Sequence, residues 1–274
     1  MSQYLEGFVN LKGYKAHYIE WGRTGKEIVV LHGTDSFDWA FGLDDLCSSL
    51  SSKYHVLAFD LLGHGESDDP SEPLGFVAHA DIMHEATCAK GFKRVVLIGY
   101  SFGGWISMRY AANYPEDVDK VVILDAAPRT YSLPIARNEA WESPTPPKHF
   151  MNEEKAVNYL LSIYPLVPRK YAERQVKYFK KDEEGRLITP SYPTRWKNLR
   201  LDGDGWSFFK DIGAPILLVR GSESTIATSE DVERMKKVNG SLKVVTIDGA
   251  THLLPITHPK RVHQAIRSFL EDSS

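Results

Sequence analysis

The chain has 274 residues, 42% of them hydrophobic and 25% charged, with a formal net charge of -3. That composition can fill the core of one or two domains, and with no basic field to collect phosphates, nucleic acid is not an expected partner. No apolar stretch approaches the roughly 18 residues of a membrane span, so no membrane attachment is expected.

The first residues carry Glu6, Lys12 and Lys15 without the apolar run of a signal peptide. Cys47 and Cys88 have neither metal nor redox spacing and read as free thiols, which points to the cytoplasm. The mixed-sign run Lys180 to Glu184 reads as a solvated turn. The sequence leaves a homo-oligomer open.

Six short runs rich in Val, Ile and Leu recur along the chain: 28–31, 56–59, 95–98, 121–124, 216–219 and 244–247. They lack strict alternation, as strands do when helices bury both of their faces in a mostly parallel sheet. A helix is expected over 101–114, ended by Pro115. Another is expected from about Ser229 to Val238, where Thr228 and Asp231 are spaced as a capping box. A third begins at Pro259 and puts Val262, Ala265, Ile266, Phe269 and Leu270 on one face. The alternation of strand and helix describes a doubly wound α/β fold. It breaks between Leu124 and Ile216, where a proline-rich segment (143–147) precedes helix-like stretches at 153–164 and 169–181. This interval reads as a helical insertion over one edge of the sheet.

Gly99-Tyr100-Ser101-Phe102-Gly103 follows the run at 95–98 and opens a helix, the context that a G-x-S-x-G nucleophile elbow requires. A turn that tight leaves no room for a Cβ on its neighbours and presents the Ser101 hydroxyl beside a helix N-terminus. The N–H of Phe102 then points where an oxyanion would form. His32-Gly33-Thr34, after the first run, offers a second donor in the N–H of Thr34, with His32 as a structural hydrogen-bonding residue. Gly249-Ala250-Thr251-His252 follows the last run, and a loop there can bring an imidazole onto Ser101 as general base. His258 and His263 read as a capping and a surface residue of the last helix. No H-E-x-x-H occurs, and His79 and His84 are not at metal-ligand spacing, so the chemistry calls for no metal and no cofactor.

These elements, with Gly63-His64-Gly65-Glu66-Ser67 as a supporting turn, resemble the α/β-hydrolase family from the first hairpin to the last helix. The resemblance implies an α/β-hydrolase fold: a core of residues 1–127 and 211–274, with a helical cap, 128–210, inserted after the sixth strand. It also implies a serine hydrolase. Relatives that open epoxides or remove halides carry Asp where this chain has Ser101, which argues against both activities.

The family's usual triad acid falls at Ser224 or Thr225, and neither can serve. Asp125, after the sixth strand, and Glu223, one residue early, are the two candidates for holding the imidazole. A chain without a functioning acid is the remaining case.

The expected reaction is hydrolysis of small to medium apolar carboxylic esters through an acyl-Ser101 intermediate, as in a carboxylesterase. Trp105 and Phe37 are the candidate substrate-binding residues, within a wider group of aromatics (Trp39, Trp141, Tyr159, Tyr164, Trp196, Trp206, Phe208, Phe209) that equally suits a core. Lactone, thioester and perhydrolase chemistry would use the same residues. So would carbon–carbon bond hydrolysis, although those enzymes commonly follow the histidine with Trp, where this chain has Leu253. A ligand-binding protein that kept the fold and lost turnover is the reading from another class.

Overall fold

The computed structural model describes residues 4–11, 13–33, 43–72, 74–129, 147–177, 179, 181–188, 199–200 and 204–272. One sheet contains the strands β1 (Tyr4–Leu11), β2 (Tyr14–Trp21), β3 (Glu27–Leu31), β4 (His55–Phe59), β5 (Val95–Tyr100), β6 (Val118–Leu124), β7 (Ile216–Gly221) and β8 (Leu242–Ile247). Their order is β1-β2-β4-β3-β5-β6-β7-β8. The hairpin β1–β2 is antiparallel and joins β4 antiparallel; the remaining pairings, from β4 through to β8, are parallel.

The helices are α1 (Asp44–Leu50), α2 (Phe76–Ala89), α3 (Phe102–Asn113), α4 (Glu153–Ile163), α5 (Arg169–Val176), α6 (Gly205–Phe209), α7 (Ser229–Val238), α8 (Leu254–Thr257) and α9 (Pro259–Glu271). Alternate residues of β3 to β7 feed two apolar layers, which is why their runs are hydrophobic without a break; β8, at the sheet edge, buries only Ile247 and leaves Val245 and Thr246 exposed, so the run 244–247 is not covered on both faces as expected. Val29, Leu97, Ile123 and Leu218 pack under α2, α3 and α7. Val30, Ile98, Val122 and Val219 pack under α1 and α9.

Local chemistry sets the helix ends. Thr228 and Asp231 form the expected capping box, with the Asp231 N–H donating to Thr228 Oγ1 at 3.2 Å and the Thr228 N–H to Asp231 Oδ2 at 2.8 Å. Val262, Ile266, Phe269 and Leu270 are buried along one face of α9. His258 stands at the N-cap of α9, but its ring pairs with Thr257 Oγ1 at 2.9 Å and caps nothing. His263 is half-buried rather than on the surface, and burial, with Arg267 nearby, holds its pKa below the usual histidine value. The stretch 181–185 is the expected solvated turn; Lys180 lies outside the described residues.

Between β6 and β7, α4 and α5 share an apolar core with Phe150, Phe179 and Leu187. Asn152 caps α4 by accepting the Lys155 N–H at 3.0 Å. The pair contacts α1 and α8. Tyr171 donates to Asp45 Oδ2 at 3.0 Å, Arg174 pairs with Asp44, and Val167 and Tyr171 pack on Ile256.

The insertion ends before residue 210. Leu199–Arg200 already pairs with Leu74–Gly75, and Phe208 and Phe209 of α6 are buried in the layer under α3. Two adjacent phenylalanines fill the space between α3 and α7, so this part of the expected cap belongs to the core.

Candidate active site

The elbow at Ser101 is set by close backbone approaches. A Cβ on Gly99 would stand 2.2 Å from the Gly103 carbonyl oxygen, and one on Gly103 would stand 2.2 Å from that of Leu31. With both glycines in place the chain turns from β5 into α3 within one residue. Ser101 takes φ 53° and ψ -115° there, a conformation that costs about 1–3 kcal/mol. Its N–H donates to Leu124 O at 2.9 Å, which ties the elbow to the end of β6. Phe102 is the first helical residue, so its N–H has no carbonyl one turn back to bond.

His252 Nε2 lies 3.0 Å from Ser101 Oγ, and His252 Nδ1 lies 2.7 Å from Asp125 Oδ2. With Nδ1–H donating to the carboxylate, Nε2 keeps a lone pair directed at the Ser101 hydroxyl and able to accept its proton. The imidazole lies against the Tyr100 ring, centroids 5.0 Å apart, and the Tyr100 hydroxyl donates to His252 O at 3.0 Å.

Asp125 is wholly buried and has φ 51°. Ser101 and Asp125 are the two non-glycine residues with positive φ among the described residues. The Asp125 N–H donates to Val219 O at 2.9 Å, Gly221 N–H donates to Oδ1 at 3.2 Å, and the Ser224 hydroxyl donates to Oδ2. Glu223 is exposed, and its N–H is held by Ala250 O at 2.9 Å. The structure therefore brings Asp125 to the imidazole and leaves Glu223 at the surface. Sequence reasoning weighed Ser224 only as a failed acid. A hydroxyl at that place is still a donor, and that was the signal available.

His32 holds the neighbouring backbone. Its Nε2 accepts the Leu61 N–H at 3.0 Å, so Nδ1 carries the proton and donates to Gly33 O at 2.7 Å. Thr34, the expected second oxyanion donor, lies outside the described residues. The supporting turn is organised by Asp60, whose Oδ2 accepts the Glu66 N–H at 3.0 Å and meets His17 Nδ1 at 2.8 Å. Burial works to lower the His17 pKa, but the hydrogen bond and charge of Asp60 outweigh it and raise it above the usual value.

Trp105 packs into one apolar layer of the core. It is 2% exposed, stacked on Phe76 with centroids 4.4 Å apart and set edge-on to Phe208 at 6.0 Å. Four residues after Ser101 it lies one helical turn along α3, on the face that packs into the core. Phe208 and Phe209 are core as well, while Tyr159 and Tyr164 are half-buried in the insertion. Phe37, Trp39, Trp141 and Trp196 lie outside the described residues. Among the described residues no three His, Cys, Asp or Glu side chains are grouped to hold a metal.

A serine at a strand–helix elbow, a histidine after the last strand and this strand order are joined by a family-level match. Residues 28–265 fit the model of the alpha/beta hydrolase family. The chain belongs to that family. It is 26% identical over 253 residues to 2-(acetamidomethylene)succinate hydrolase of Mesorhizobium japonicum, covering 90% of this chain and 89% of that protein. It is 24% identical over 267 residues to (E)-2-((N-methylformamido)methylene)succinate hydrolase of Acinetobacter baylyi, covering 93% and 94%. The crystal structure of E-2-(acetamidomethylene)succinate hydrolase shares its fold, with a TM-score of 0.84 at 22% identity over 98% of this chain and 100% of that one. The family and these relatives support a hydrolase.

Proposed function

We propose that this alpha/beta hydrolase is a serine hydrolase that cleaves small to medium apolar carboxylic esters, with Ser101 as nucleophile, His252 as base and Asp125 as the acid that orients it. The observation that carries the reading is the chain of contacts from Ser101 Oγ through His252 to the buried Asp125 carboxylate. His252 takes the hydroxyl proton as Ser101 attacks the carbonyl carbon. The tetrahedral oxyanion forms beside the Phe102 N–H, with the Thr34 N–H as the proposed second donor. His252 then returns its proton to the departing alcohol. Water, deprotonated by the same imidazole, attacks the acyl-Ser101 ester; collapse of that second intermediate releases the acid and gives the proton back to Ser101. The insertion, as a cap over the site, would select the small-molecule substrate. The free thiols Cys47 and Cys88 fit a cytoplasmic setting.

A second reading has specific support in the two relatives of near-full coverage. Their names place an acetamido or N-methylformamido group and a succinate on the substrate. The same residues could act on a carbonyl in such a compound.

A fluorophosphonate probe should label Ser101 in the folded wild type and fail to label Ser101→Ala. A set of p-nitrophenyl esters of increasing acyl length, run beside 2-(acetamidomethylene)succinate, separates the two substrate readings by kcat/KM. Absence of an adduct on Ser101 in folded protein would leave the ligand-binding reading in place of an enzyme.

A further inference from the structure

The Asp125 carboxylate is saturated by donors of two kinds. Gly221 N–H occupies Oδ1 at 3.2 Å, and both His252 Nδ1, at 2.7 Å, and the Ser224 hydroxyl meet Oδ2. Ser224 is 7% exposed, so water does not readily replace it. Its orientation is fixed from the other side, because Ser224 Oγ accepts the Ile226 N–H at 3.1 Å. A hydroxyl has one proton, and with a backbone donor directed at its oxygen that proton is committed to Asp125.

We infer that Ser224 is a positioning residue of the site: its hydroxyl holds Asp125 Oδ2 against the imidazole and draws off part of the charge that His252 would otherwise feel. This deepens the proposed serine-hydrolase reading and rests on it for its functional meaning. A hydrogen bond to the ionised form of a carboxylate makes it a weaker base. Oδ2 is the oxygen that faces His252, so the Ser224 bond lessens the attraction of the carboxylate for an imidazolium.

Among the described residues, few groups face the pair. Tyr100 of β5 stacks on His252, and Ser101 meets its Nε2. From the β7 turn come Gly221 and Ser224, while Glu223 is turned outward. Arg129 bonds the Thr225 and Ile226 carbonyls and approaches Asp231, and Arg220 bonds the Ala227 carbonyl; both stand behind the turn.

The decisive measurement is the NMR titration of the His252 imidazole in full-length protein labelled with 15N-histidine, the resonance being assigned by its loss in His252→Gln. Ser224→Ala should move the midpoint to higher pH, and Ser224→Thr, which keeps the hydroxyl, should return it. The acidic limb of the ester-hydrolysis profile should move the same way. We expect kcat to fall about tenfold with KM little changed, a loss of about 1.4 kcal/mol in transition-state stabilisation. If Ser224→Ala does not fold, Ser224→Cys, a weak donor of similar size, should shift the midpoint in the same direction by less.

A midpoint that stays in place or moves to lower pH overturns the inference, even where stability or activity drops, because that is what a purely structural serine would give. The titration needs no turnover. A wild type that neither labels nor hydrolyses any ester therefore sinks the functional reading alone, and a labelled enzyme with an unmoved midpoint sinks this one alone.

Discussion

At the scale of the residue, the two backbone outliers fall on two members of the proposed triad. A non-glycine residue at positive φ persists only where its surroundings over-determine it. Ser101 is held by the Gly99 and Gly103 contacts and Asp125 by the ends of β6 and β7. Asparagine tolerates the left-handed conformation about as well as aspartate, so Asp125→Asn should keep the backbone fold, at a cost of about 1–3 kcal/mol for an amide NH2 that faces donors. It cannot fix the imidazole tautomer, and kcat should fall by about 10⁴-fold. Glu223→Gln should leave kcat near the wild-type value, since that side chain is exposed. Ester hydrolysis by the two variants, with melting curves to exclude unfolding, checks both expectations. Near-normal turnover in Asp125→Asn would reverse the assignment.

At the scale of the element, the insertion is fastened to α1 by charge as well as to α8 by apolar packing. Burial pushes the Asp44 carboxyl up to about 6; Arg174 opposes that shift and Asp45 adds to it. A carboxyl with a raised folded-state pKa favours the folded state most at low pH and loses that contribution as pH rises through about 6. Above that pH the carboxylate is ionised and depends on Arg174. Arg174→Met should therefore cost about 1–2 kcal/mol at pH 8, where a half-buried charge loses its partner, and much less at pH 5, where Asp44 can be neutral. Urea denaturation at the two pH values measures the difference. Equal losses at both would place the effect in packing.

At the scale of the whole molecule, the last helix is tied to the middle of the sheet. Lys120 of β6 is 7% exposed and donates to the carbonyls of Phe269 at 2.8 Å, Asp272 at 2.7 Å and Leu270 at 3.5 Å. These are the carbonyls that a helix C-terminus leaves unbonded, where a cation is favoured. Lys120→Met keeps the aliphatic stem and loses the bonds, so it should lower stability by about 2–3 kcal/mol. The urea midpoint would fall with an unchanged slope and the active site intact. A change in slope would mean that α9 has come away from the sheet. No helix among the described residues is long and apolar enough to cross a membrane.

The sheet and the elbow could be read from the chain because their causes are local. A strand buried on both faces must be apolar throughout, and a strand–helix turn without space for a Cβ must carry glycine. All six runs are parallel strands, five of them buried on both faces and the sixth, 244–247, at the exposed sheet edge, and Ser101 and His252 lie within hydrogen-bond distance. The extent of the insertion was less legible, because Phe208 and Phe209 read alike as pocket or core. Trp105 shows a related limit: nearness to Ser101 in sequence says little about which face of α3 a side chain occupies. The acid needed the tertiary structure outright. Asp125 and Glu223 both follow strands that end beside His252, and composition cannot say which side chain turns inward. That is decided by the register of β6 against β7, which buries Asp125 under three donors and sends Glu223 to the surface.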